Sequence, residues 1–98
     1  MAKFDVFELS GHRLAVVIQS DILPLLDTTL VIPLIPADQL SGRSPKIYPI
    51  FEIEQKPYVL MPTHMAALPT RSLRTRVASL KSERDTIADA IDVVLYGF

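Results

Sequence analysis

The sequence predicts an α+β fold that is mostly β, in which several short strands are followed by one C-terminal helix. Between residues 3 and 77, short runs of branched and aromatic residues alternate with turn residues, which is typical of strands. From residue 82 onward the apolar residues follow a helical period instead. Eight prolines are spread over the predicted strands and loops, which favours short, kinked strands in a small closed or half-open barrel.

The first two predicted strands form a hairpin. Residues 3–9 carry apolar groups on both faces, which indicates a strand covered on both sides. A turn at Ser10-Gly11-His12 leads into residues 13–19, which are rich in branched side chains. Ser20 and Asp21 then break the apolar run. Residues 22–26 form an apolar loop, which either folds back on the core or offers a contact surface.

The middle of the chain predicts further strands interrupted by proline. Residues 29–35 form the third strand, and we expect it at a sheet edge or bulged, because Pro33 cannot donate a backbone hydrogen bond. Residues 46–54 form a fourth strand that pairs with residues 57–61 across a turn at Gln55 and Lys56. Residues 62–70 are too short and too flanked by proline for a stable helix, and residues 71–77 predict a last short strand.

The C-terminal segment predicts an amphipathic helix. Its apolar stripe consists of Ile87, Ile91, Val94, Leu95 and Phe98. Ser79 or Ser82 is expected to cap its N-terminus, and Gly97 to stop it. Aromatic residues flank this glycine, so Tyr96 and Phe98 either pin the helix to the sheet or present an aromatic tip to a partner.

The length and composition predict one domain, residues 1–98, with more apolar surface than its own core is expected to bury. Hydrophobic residues make up 49% of the chain and the mean hydropathy is +0.30, which favours self-association. No transmembrane span or signal peptide is expected, and a net charge of −1 gives no global case for nucleic-acid binding. The absence of cysteine fits a reducing cytoplasm.

The motifs predict a binding module rather than an enzyme. His12 and His64 are the only histidines and have no metal-ligand spacing, and neither a phosphate-binding glycine loop nor a GxSxG elbow is present. No metal or cofactor is therefore expected. One basic cluster stands out, formed by Arg71, Arg74, Arg76, Lys81 and Arg84. It is either a solvated surface, with Arg74 and Arg76 on one strand face, or a site for an acidic peptide or RNA phosphates.

An ordered set of short motifs then resembles the CcdB family of plasmid-maintenance toxins over essentially the whole chain. The motifs are Arg13-Leu14, Gln19-Ser20-Asp21-Ile22, Val31-Ile32-Pro33-Leu34, Tyr48-Pro49, Met65-Ala66 with Pro69, Val77-Ala78 with Leu80, and Tyr96-Gly97. The resemblance implies a cytoplasmic homodimer with a small antiparallel barrel-like sheet, a satellite three-stranded sheet and one C-terminal helix, an architecture shared with the MazF and Kid toxins.

The resemblance also implies a function without catalysis. CcdB-like toxins bind the A subunit of DNA gyrase and trap the enzyme on cleaved DNA. A CcdA antitoxin neutralises them, and the complex represses its own operon, so that DNA is a partner only through the complex. Two alternatives stay open: an endoribonuclease like MazF that uses the arginine cluster, and a non-toxic remnant that binds only antitoxin.

The family's gyrase contacts carry over to two segments of this chain. The positions are Tyr96, Gly97, Phe98, Asp92, Ile22 and Leu23. Three of them differ from the family pattern, because Tyr96 stands for Trp, Phe98 for Ile and Asp92 for Asn. From charge alone, we expect the antitoxin to bind partly through Arg71, Arg74 and Arg76.

Overall fold

The computed structural model describes residues 2–23, 26–40, 42 and 44–97, and within them the chain forms seven strands and one α-helix. The elements are β1 (Asp5–Glu8), β2 (Leu14–Val17), β3 (Thr28–Pro36), β4 (Ile50–Ile53), β5 (Lys56–Leu60), β6 (Ala66–Pro69), β7 (Thr75–Ser79) and α1 (Arg84–Tyr96). The predicted class, mostly β with one C-terminal helix, is confirmed.

The strands form one curled antiparallel sheet that branches at β3. Residues 28–31 of β3 pair with β6, and residues 34–36 pair with β5. One branch therefore runs β6-β3-β2-β1-β7, and the other consists of β4, β5 and the end of β3. The satellite three-stranded sheet is this second branch, which is hydrogen-bonded to the main sheet through β3.

The prediction that Pro33 places its strand at an edge or in a bulge is wrong. Pro33 lies in the interior strand β3, opposite Ala15 of β2 in a regular register. Its carbonyl accepts a hydrogen bond from the N–H of Met61, at 3.0 Å. In an antiparallel strand the nitrogen and oxygen of one residue point to the same side. The position that lacks an N–H therefore faces Met61, at the junction between β5 and β6, and the ladder between β3 and β2 loses no hydrogen bond.

Sequence patterns did not predict β6, and they misplaced the start of β7 and the turn between β4 and β5. Ala66–Pro69 pairs with residues 28–31, about 40 positions earlier, and no local pattern of alternation announces it. β7 begins at Thr75 rather than residue 71, because residues 70–72 form a 3₁₀ turn. The turn between β4 and β5 is Glu54-Gln55, both at positive φ, which matches the twist of a two-residue hairpin.

The core lies on both faces of the central strands, as the two-sided apolar pattern of the first strand predicted. Every residue of β2 is buried, and so are Asp5, Val6 and Phe7 of β1. On one face Val6, Val16 and Ile32 pack with Ile87 and Ala90 of the helix. On the other face a smaller cluster contains Phe7, Ala15, Val17, Val31 and Leu73.

The helix stops as predicted but begins differently. Gly97 has a φ of 82°, and its N–H donates to the carbonyl of Val93 at 3.0 Å, which ends the helix in a left-handed cap. No side chain caps the N-terminus, so the predicted cap by Ser79 or Ser82 is wrong. A 3₁₀ turn at Lys81–Glu83 leads directly into α1 instead, and Ser79 Oγ accepts the N–H of Lys81.

The buried stripe of the helix is narrower than predicted. Ile87 and Ala90 are fully buried, whereas Ile91 and Val94 are half-buried. Leu95 is 57% exposed, so its assignment to the stripe is wrong. At about 100° per residue it lies about 80° around the helix from Ile87, at the margin of the contact with the sheet. Within the described residues no helix is long and apolar enough to cross a membrane.

Candidate functional site

The last turn of the helix presents an aromatic ring at its surface. Tyr96 is 66% exposed, and Asp92, one turn earlier, is exposed as well. Residues four apart on a helix are neighbours on one face. Gly97 is also exposed, whereas Phe98, the remaining predicted contact at this end, lies outside the described residues. The aromatic tip is therefore at the surface and not in the hydrophobic interior.

Three carboxylates share the exposed face that ends at Tyr96. At about 100° per residue, Asp85, Asp89, Asp92 and Tyr96 fall within about 60° of one another, on the side opposite Ile87. All four side chains are exposed. Only Asp85 has an ion pair among the described residues, with Arg84 Nε at 3.4 Å. The face therefore carries net negative charge beside an aromatic ring.

The second predicted contact segment is an exposed apolar loop. Ile22 is 91% exposed and Leu23 is 49% exposed, and Leu26 is exposed too. For these three residues the alternative in which the loop folds back on the core is wrong. Apolar side chains that face solvent in a group are typical of a contact surface.

The two contact segments are anchored at different ends of the helix. Asp21, directly before Ile22, lines a cavity of about 390 Å³ together with Lys81, Arg84 and Ala88. Tyr96 lies eight residues beyond Ala88, which is about 12 Å along a helix at 1.5 Å per residue. Within one chain, the loop therefore lies near the N-terminal half of the helix and the aromatic tip at its C-terminal end.

The arginine cluster does not form one strand face. Arg71 lies in the 3₁₀ turn at residues 70–72. Arg74 directly precedes β7, and its N–H donates to the carbonyl of Glu8 at 3.2 Å, so the shared face of Arg74 and Arg76 stays a prediction. Neither Arg71 nor Arg74 has an ion pair with another described residue. Arg76 instead donates from Nε to Oδ1 of Asp5 at 3.1 Å.

This ion pair gives Arg76 a role in the fold. The Asp5 side chain is only 10% exposed, while that of Arg76 is 55% exposed. Asp5 Oδ2 also accepts the N–H of Ala2 at 3.0 Å. A buried carboxylate requires such partners. Of the three predicted antitoxin contacts, Arg71 and Arg74 thus remain available, and Arg76 is partly occupied by Asp5.

One cavity brings together residues that the sequence did not connect. His12 and His64 both line a space of about 500 Å³ whose floor is apolar, and Arg13 and Tyr58 line it too. The turn between β1 and β2 meets the segment after β5 here, because both flank β3. Only this long-range pairing joins the histidines, so no local signal predicts it. Among the described residues, no three potential metal ligands cluster.

Comparison with known families agrees with this arrangement. A family model described as CcdB protein matches residues 3–97, which is nearly all of the 98-residue chain. The match includes the exposed loop, the branched sheet and the helix up to Gly97. The chain therefore belongs to the CcdB family.

Proposed function

We propose that this protein is the toxin of a toxin–antitoxin module and that it binds the A subunit of DNA gyrase, holding the enzyme on cleaved DNA. Membership of the CcdB family supports the toxin role. The observation that carries the gyrase proposal is the exposed Tyr96 at the end of α1, one turn after Asp92. These are positions at which the family resemblance implies gyrase contacts. The protein acts by stoichiometric binding in the cytoplasm, without turnover or cofactor.

The chemistry of the tip favours a basic target. An exposed aromatic face attracts an arginine guanidinium through cation–π and stacking interactions. Asp92 can pair with the same or a neighbouring cation, and Asp85 and Asp89 extend the negative face toward the start of the helix. Opposite charges across an interface raise the association rate, whereas a carboxylate on the target would be repelled. Binding should therefore weaken as salt is added.

A symmetric homodimer would complete the site. Leu95 is 57% exposed beside Tyr96, and a second copy of the helix would cover such an apolar side chain. With two helices side by side, two Tyr96 rings would face one small patch of gyrase, and the Ile22–Leu23 loops would widen the contact. This arrangement gives each dimer two identical aromatic contacts.

The antitoxin completes the module. A CcdA-like partner would neutralise the protein, and the complex would reach DNA through the antitoxin. Arg71 and Arg74, exposed and without an ion pair among the described residues, supply positive charge for an acidic segment of that partner. Arg76 contributes less, because Asp5 already occupies it.

A pull-down with a gyrase A fragment tests the proposal. The wild-type protein should retain the fragment, and Tyr96→Ala should lose most of it while keeping its far-UV circular dichroism. Ile50→Ala is the matched control, because it truncates another exposed apolar side chain, in β4, that lies outside the site. Equal retention by Tyr96→Ala and wild type would rule out the aromatic tip as the contact.

The cavity at His12 and His64 favours a second candidate, an endoribonuclease like MazF. Two imidazoles and Arg13 at one cavity are groups that can move protons and hold a phosphate. Incubation with single-stranded RNA decides between the two functions. Cleavage by the wild type that is lost in His12→Ala or His64→Ala would support this candidate, and intact RNA would leave gyrase binding as the function.

A further inference from the structure

We infer that Gln19, Ser20 and Asp21 are positioning residues that hold the Ile22–Leu23 loop in its binding geometry, with Asp21 as the principal one. This inference rests on the proposed gyrase binding. Each of the three side chains accepts a hydrogen bond from a backbone N–H. Gln19 Oε1 accepts from Leu30 at 3.1 Å, Ser20 Oγ from Ile22 at 3.3 Å, and Asp21 Oδ1 from Lys3 at 2.7 Å.

The loop depends on these bonds because its own apolar side chains supply little packing. Ile22 is 91% exposed, so burial does not fix its position. The N–H of Leu23 adds one long bond to the carbonyl of Ser20, at 3.3 Å. Ile22 and Leu23, which would contact a partner, therefore lie on a turn. The side-chain hydrogen bonds that hold this turn come from the preceding residues 19–21.

The Asp21 bond ties the start of the loop to the N-terminal segment, whereas the end of the loop is held by Thr70, whose Oγ1 donates to the carbonyl of Leu26 at 2.6 Å. The Asp21 bond joins residues 18 positions apart, and a carboxylate acceptor makes it the strongest of the three. Lys3 precedes the buried Phe4, whose N–H donates to the carbonyl of Val17 at 2.6 Å. The carbonyl of Phe4 accepts from Leu80 at 2.8 Å, four residues before α1 begins. The loop is thus connected through Lys3 and Phe4 to the base of the helix that carries Tyr96.

This connection favours binding because it fixes the position of the Ile22–Leu23 loop relative to the aromatic tip at Tyr96. A contact segment that must be ordered when it binds loses affinity by the free energy of that ordering. Removing the Asp21 acceptor should therefore weaken gyrase binding by roughly fivefold to tenfold. This is less than a buried hydrogen bond to a charged group contributes, because solvent competes for this exposed bond. The fold itself should change little, because the bond lies at the surface.

Three variants separate positioning from direct contact. Asp21→Ala removes the acceptor, and Asp21→Asn keeps an oxygen at the same place without the charge. Asp38→Ala is the matched control, because it removes an exposed carboxylate from the 3₁₀ turn at Ala37–Gln39. We expect Asp21→Ala to bind gyrase A fragment roughly fivefold to tenfold more weakly, Asp21→Asn to recover most of the affinity, and Asp38→Ala to match the wild type.

Amide hydrogen exchange at Lys3 tests the hydrogen bond between Lys3 and Asp21 without gyrase. Exchange should be faster in Asp21→Ala than in the wild type and slower again in Asp21→Asn. Unchanged exchange in Asp21→Ala would show that the hydrogen bond between Lys3 and Asp21 does not protect this amide. Faster exchange in Asp21→Ala together with unchanged gyrase affinity would overturn the positioning role. The role would also be overturned if Asp21→Asn lost affinity while exchange at Lys3 stayed slow, because that result would indicate a direct charge contact between Asp21 and gyrase. A wild type that fails to bind gyrase would overturn the proposed function and the positioning role together, while the exchange result still reports on the hydrogen bond between Lys3 and Asp21.

Discussion

The ion pair between Asp5 and Arg76 makes a quantitative prediction about the arginine cluster. Arg76→Ala leaves a carboxylate that is 10% exposed without its cation, whereas Ala2 still donates one hydrogen bond. Loss of a hydrogen bond to a charged group costs about 1.5–3 kcal/mol. Because Arg76 is 55% exposed, solvent screens the pair, and we expect the unfolding free energy to fall by about 1–2 kcal/mol.

The assay is urea unfolding followed by circular dichroism, at one fixed protein concentration because self-association would shift the midpoint. Arg71→Ala and Arg74→Ala are the controls, and each should change the free energy by less than about 0.5 kcal/mol, as for surface sites without partners. In thermal melts, the midpoint of Arg76→Ala should fall by roughly 4–16 °C, given the usual scale for a chain of this size. Equal stability of Arg76→Ala and Arg74→Ala would refute the reasoning.

Further predictions concern the helix end, the tip and the assembly. Gly97→Ala should lower the unfolding free energy by about 1 kcal/mol, because a Cβ is strained at a φ of 82° even though no described residue other than its chain neighbours would lie within 4 Å of it. Gly97→Asn should lower it less, and thermal melts showing Gly97→Ala as stable as wild type would contradict this. Deleting residues 96–98 should abolish growth arrest in a gyrase-sensitive host but keep the fold and antitoxin binding; continued arrest would count against the tip. Light scattering should give a dimer at micromolar concentration, and a monomer there would exclude the paired-helix arrangement.

Local patterns predicted much of the fold. Two-sided apolar alternation located β1, a run of branched side chains located β2, the helical period located α1, and Gly97 located its end. Where a structural feature depends on a strand that is distant in sequence, the prediction was wrong or no prediction was made. Residues 66–69 form strand β6 because they pair with residues 28–31 of β3. Pro33 is tolerated because it lies where the pairing partner of β3 changes from β6 to β5. Neither fact can be deduced from residues close in sequence.

The candidate site was predictable in part for the same reason. An aromatic tip at Tyr96 and an apolar loop at Ile22 were each visible in the sequence, and the structure places both at the surface. The pairing of Asp5 with Arg76 and the cavity shared by His12 and His64 were not, because each joins residues more than 50 positions apart. Only the strand order brings them together.

The most direct test of gyrase poisoning is DNA cleavage by gyrase in the presence of the purified protein. Supercoiled plasmid, gyrase and ATP are incubated with wild type, Tyr96→Ala or Ile50→Ala, and the products are separated after denaturation and protease treatment. Wild type and Ile50→Ala should convert plasmid to the linear form, and Tyr96→Ala should leave it intact. Linear DNA at wild-type levels with Tyr96→Ala, or none with the wild type, would contradict the account.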